Sequence, residues 1–148
     1  MISPLIFTAL QQEEELLAES KIEKYRSSPL TKQDKEKMIS RLEQLMQKEK
    51  PWSNPAITIA ELAESAGIQA RYLSQVINEN YNENFYDFIN RYRIEETKNR
   101  ILNASDDKET ISEIMYQVGF NSKSSFNSAF KKITGQTPGQ FKKAMLKH

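Results

Sequence analysis

Along most of this chain apolar residues return every three to four positions, and no stretch between turn signals alternates with a period of two. That spacing predicts helices and gives no support to strands. Met38, Leu42, Leu45 and Met46 stand at i, i+4, i+7 and i+8, one face of a helix that starts near Thr31. Pro51 and Pro55, with Ser53 and Asn54 between them, end it. Upstream, residues 11–26 are densely charged and read either as helix or as disorder, and Ser27, Ser28 and Pro29 break them. The first ten residues are apolar, but a membrane span needs about 20. They have neither a basic n-region nor a small-residue cleavage site, which argues against a signal peptide. They read either as a frayed terminus or as the stump of something longer.

From Thr58 onward, capping signals divide the chain. Thr58 and Glu61, like Thr110 and Glu113, have the T-x-x-E form, in which the hydroxyl satisfies an orphan amide and the carboxylate reaches back. Asn84 with Asp87 opens a longer helix, and Thr137 precedes Pro138 at a first helical position, where a missing N–H costs nothing. The two T-x-x-E boxes lie 52 residues apart, and the match continues beyond them. Ile59, Glu61, Leu62 and Gly67 are answered by Ile111, Glu113, Ile114 and Gly119. After one extra residue, Leu73, Val76 and Ile77 fall against Phe126, Ala129 and Phe130. Each copy is a short helix, a glycine-bearing turn and a second helix, the pattern of a helix-turn-helix.

With those apolar residues inward, Arg71, Ser74, Gln75 and Asn78 face outward on the first second-helix, and Lys123, Ser124, Asn127, Ser128 and Lys131 on the other. Apart from Glu79 both faces are free of acid. Arginine and lysine can donate to guanine edges, glutamine or asparagine can pair with adenine, and serine suits bases or phosphates. Between the copies, residues 84–102 make a helix roughly 27–28 Å long, close to one duplex turn of about 34 Å. Phe85, Phe88, Ile89 and Tyr92 line one side of it, and Ile94 and Ile101 nearly the other, so it is expected to touch both lobes. The expected fold is all-α: two helix-turn-helix lobes joined by a long linker helix and preceded by an N-terminal helical extension. The divisions are 1–30, 31–56, 57–83 (first lobe), 84–103 (linker) and 104–148 (second lobe with a C-terminal helix).

Composition removes most other chemistry. The 148 residues contain no cysteine, and the single histidine is His148, which excludes disulfides, thiol catalysis and cysteine-ligated zinc and nearly excludes histidine sites. None of the four glycines lies in a phosphate-binding loop motif. Asp106 and Asp107 read as a solvated loop pair and not as an acid–base or metal site. No catalytic residue, metal, cofactor or bound small molecule is therefore expected. The net charge of +1 hides a polarity: residues 1–50 are neutral, 51–109 carry −4, and 110–148 carry +5. The positive end is where a polyanion would be held. Trp52 is expected to pack the N-terminal helix onto the first lobe, and Phe120, Phe126, Phe130 and Phe141 to be core.

The run Gly119-Phe120-Asn121-Ser122-Lys123-Ser124-Ser125-Phe126, then Phe130-Lys131-Lys132, Gly135-Gln136-Thr137-Pro138 and Phe141-Lys142, resembles the DNA-binding domain of AraC/XylS-type transcription regulators. Leu62-Ala63-Glu64, Leu73-Ser74 and Asn90-Arg91-Tyr92-Arg93 add to the resemblance, which covers roughly residues 57–145. It implies a seven-helix domain bound along bent double-stranded DNA at a promoter or operator, with RNA polymerase as a further partner. Base reading falls by position on Arg71, Ser74, Gln75, Lys123, Ser124, Asn127 and Ser128. Phosphate contact falls on Lys131, Asn78, Ser122 and the helix starts at Thr58, Thr110 and Thr137, with Tyr72 shared between an apolar shield and a phosphate contact. Residues 25–52 are similar to the segment ahead of this domain in members tethered behind a membrane-spanning sensor. The implied location is cytoplasmic, free or as the cytoplasmic portion of an anchored protein. The competing reading is a helical protein–protein adaptor that retains the fold.

Overall fold

Four threonine- or serine-capped starts and three left-handed glycines punctuate the described part of the chain, and the helices run between them. The computed structural model describes residues 3–27, 29–104 and 109–147, with 20–27 as backbone only. Asp106 and Asp107 therefore lie outside the described residues. Among those described there are eight α-helices, a 3-10 turn and no strand.

The chain divides into two units, residues 1–32 and 33–148. The first holds α1 (Pro4–Ser27), which begins with proline at the first helical position and runs through the segment for which helix and disorder both stood open. At its start Ser3 offers both its carbonyl and its hydroxyl to the Ile6 N–H. Leu5, Phe7, Leu16 and Leu17 on α1 are exposed. No helix among the described residues is long and apolar enough to cross a membrane.

Nearly all of α2 (Lys32–Lys48) belongs to the second unit, and its Leu42 and Met46 are fully buried, as their spacing predicts. A 3-10 turn at Pro51–Ser53 follows. The first lobe is α3 (Ile59–Ala66) and α4 (Ala70–Tyr81), and the linker is α5 (Phe85–Asn103). The second lobe is α6 (Ile111–Gln117), α7 (Lys123–Thr134) and α8 (Pro138–Leu146). α5 packs against α4 and against α6, α7 and α8, so both lobes share one core. The two turns are built alike: the Ile68 N–H returns to the Ala63 carbonyl at 2.9 Å and the Phe120 N–H to the Met115 carbonyl at 3.0 Å. Each bond seats a buried apolar residue directly after the turn glycine.

Trp52 has a wider role than packing α2 onto the first lobe. Its indole Nε1 donates to the Met46 carbonyl at 3.0 Å, while its own carbonyl accepts from Arg93 Nε at 2.7 Å. Arg93 Nη2 also donates to the Asn54 carbonyl at 3.0 Å, and the guanidinium lies 5.3 Å from the Phe120 ring. Burial lowers the pKa of this side chain, and the two carbonyls replace the water it has lost. Gly119 completes the junction. At φ +106°, a Cβ there would stand 2.6 Å from the Trp52 carbonyl and 2.9 Å from that of Ser53. The connection after α2 thus passes across the second-lobe turn, where only glycine leaves room.

Candidate nucleic-acid interface

In the first lobe, Thr58 caps α3 with both halves of a capping box: its hydroxyl accepts from the Glu61 N–H, and the Glu61 carboxylate accepts from the Thr58 N–H. Thr110 with Glu113 on α6 and Thr137 with Gln140 on α8 repeat this arrangement. These threonines fix the helix starts, and the boxes take up the N-cap and third-position amides. Amides of the first two helical positions then face outward, except that α8 has Pro138 at its first position. Asn84 caps α5 through the Asp87 N–H, and Ser122 caps α7 through the Ser125 N–H.

Leu73, Val76 and Ile77 of α4 are buried, which brings Arg71, Ser74, Gln75 and Asn78 to one opposite side. Arg71 and Asn78 are exposed, whereas Ser74 and Gln75 are half-buried, less open than a freely solvated face. The Arg71 guanidinium lies 4.5 Å from the ring of Tyr72 and donates to its hydroxyl at 2.6 Å. Tyr72 packs partly against the core, and its hydroxyl accepts from Arg71. Gln75 Nε2 donates to Glu79 Oε1 at 2.9 Å, and Lys35 of α2 meets Glu79 Oε2 at 2.5 Å. The hydrogen bonds from Lys35 and then Gln75 hold the Glu79 carboxyl below the ordinary value for glutamate.

On α7 the buried side is Phe126, Ala129 and Phe130; Phe126 meets Phe120 edge to face, Phe130 meets Phe141 in the same way, and the Phe126 and Phe130 rings are tilted against each other. Phe141 is only half-buried. Lys123, Ser124, Ser128 and Lys131 are exposed and Asn127 is half-buried, and all five lie on the side away from the core. Ser128 also borders a cleft of about 700 Å³ in which α7 faces the start of α5. Lys132 spans that cleft to Asp87 at 3.0 Å. Deeper in it Glu83 accepts from Arg91 Nε at 2.9 Å.

The roles of two residues escape a reading from sequence. Arg93 stands on the buried line between Ile89 and Thr97, four residues from each, a spacing whose meaning its charge disguises. Lys35 gave no signal, because its partner Glu79 is 44 residues away.

A family model described as a helix-turn-helix domain matches residues 62–144. An HTH-type transcriptional regulator of Staphylococcus aureus (strain COL), itself uncharacterized, is 37% identical over 86 residues, which are 58% of this chain but 11% of that protein. The chain thus spans about a tenth of the length of this curated relative. The C-terminal domain of the two-component response regulator yesN from Fusobacterium nucleatum is 28% identical, with a TM-score of 0.55 over 68% of this chain and 96% of that one. The DNA-binding domain of AdpA, solved in complex with a target DNA, has the same fold at 17% identity, with a TM-score of 0.57 over 72% of this chain and 90% of that one.

Proposed function

Because the chain belongs to the AraC/XylS-type helix-turn-helix family, we propose that it is a sequence-specific double-stranded DNA-binding module of a transcription regulator, with α4 and α7 entering successive major-groove segments. The observation that carries this reading is the pair of capped lobes whose second helices bury matching apolar sides and leave polar or basic residues opposite. The +5 charge of residues 110–148 supplies the phosphate attraction. Arg71, Ser74 and Gln75 are the base-reading candidates of the first lobe, and Lys123, Ser124, Asn127 and Ser128 those of the second. Lys131, Asn78, Ser122, Tyr72 and the amides near Thr58, Thr110 and Thr137 are the phosphate candidates. AdpA's target DNA, held by the same fold, lends support.

The proposal extends to two partners. Family membership supports RNA polymerase as a partner at the promoter. The similarity of residues 25–52 to tethered regulators supports a sensor ahead of α1, anchored in a membrane and leaving this part in the cytoplasm.

The test is binding to duplexes selected from a random pool, measured by fluorescence anisotropy across a salt series. The proposal expects a selected duplex to bind about 10³-fold or more tighter than random DNA, with affinity falling steeply as salt rises. If no selected duplex binds tighter than random DNA, the proposal fails.

A further inference from the structure

The acidic residue of α4 is tied on both oxygens. Gln75 donates to Glu79 Oε1 at 2.9 Å while Lys35 meets Oε2 at 2.5 Å, so one setting of the carboxylate serves both partners. A second tie holds α2 to the same end of α4, where the Tyr81 hydroxyl donates to Glu43 at 3.0 Å. Lys35 lies outside residues 62–144, the span matched by the family model. We infer that Lys35 of α2 is a positioning residue for base recognition, acting through Glu79 to fix the amide of Gln75. This inference rests on the DNA-binding function proposed above.

The glutamine amide is the group that needs orienting. Its oxygen and nitrogen ends are close in shape, and half a turn about the last bond exchanges acceptor for donor. An ionised carboxylate only accepts, so Glu79 turns the NH₂ end of Gln75 toward itself. Nε2 has two hydrogens, and a bond to Glu79 through one leaves the other available beside Oε1. A donor beside an acceptor is the complement of adenine, which offers N7 and the N6 amino group, whereas guanine offers two acceptors. Without Lys35, Glu79 would be an uncompensated negative charge on a surface meant to meet phosphates. Repulsion would turn it away and release the amide. Lys35 therefore supplies both a fixed geometry and charge cancellation.

The experiment uses the whole chain and its selected duplex. Scanning the duplex with Gln75→Ala identifies the base pair whose identity ceases to matter in that variant. The adenine-over-guanine preference at that pair is then measured for the unmodified chain, Lys35→Ala, Lys35→Arg and Glu79→Ala. The expected result is a preference on the order of tenfold or more in the unmodified chain. It should fall by about three- to tenfold in Lys35→Ala and Glu79→Ala and return in Lys35→Arg. In a Gln75→Ala background, Lys35→Ala should change it no further. The inference is overturned if Lys35→Ala weakens every duplex by one factor, with a shallower salt dependence and intact preference, which is the behaviour of a phosphate contact. It is also overturned if Gln75→Ala alters preference at no base pair. A wild-type chain that selects no duplex sinks the proposed function itself along with it.

Discussion

Arg93 and Gly119 meet beneath the carbonyls of Trp52 and Ser53, and each is needed there for a different reason. Arg93→Met keeps much of the volume but leaves the Trp52 carbonyl without its donor, while the Asn54 carbonyl still accepts from the Ile57 N–H at 3.3 Å. An unpaired buried acceptor costs about 1–3 kcal/mol, so a loss of that order is expected, read as a lower urea midpoint with unchanged slope. Gly119→Ala combines a left-handed backbone, worth roughly 1–2 kcal/mol, with overpacking against two backbone oxygens, another 1–3 kcal/mol or so. Gly135→Ala is the control: φ is +77° there, but a Cβ would meet nothing within 4 Å, so only the backbone cost applies. Equal losses at the two glycines in urea denaturation would contradict the close approach. The turn glycine itself was legible from the repeat. The backbone that crosses it was not, because that contact joins segments far apart in the chain.

Helices and their starts were the most legible features, since capping depends on residues three positions apart. The linker helix falls where the apolar pattern put it and packs against elements of both lobes. Less legible was the tie between Glu79 of α4 and Lys35 of α2, because α4 periodicity says nothing about a partner 44 residues away. The cap of α6 carries a pH signature. Two bonds from Thr110, first from its backbone N–H and then from its hydroxyl, hold Glu113 below the ordinary glutamate value of 4.5. A carboxylate with a depressed folded pKa stabilises fully above its unfolded value and loses that contribution as pH falls through the folded one. Glu113→Gln can still cap but cannot ionise. Its melting temperature should therefore differ from that of the unmodified chain by a constant amount above pH 4.5 and converge with it below. A gap that stays constant into acid would contradict the assignment.

For the molecule as a whole, the near-zero net charge concealed a division of labour visible only when the sequence is summed by segment. The second lobe carries the positive surplus and the first does not, so their variants should behave differently on DNA. Lys131→Ala should weaken selected and random duplexes alike and lower the salt slope by about one. Arg71→Ala should cost on the order of 1–3 kcal/mol on the selected duplex alone, as anisotropy on both duplexes would reveal. Which bases are read was never legible, because recognition depends on how two faces meet a partner absent from the sequence. The most direct measurement of the central claim is a hydroxyl-radical footprint of the chain on its selected duplex. Two lobes acting in adjacent turns predict two protected patches about 10 base pairs apart on one face. A single patch, or two on opposite faces, would contradict it.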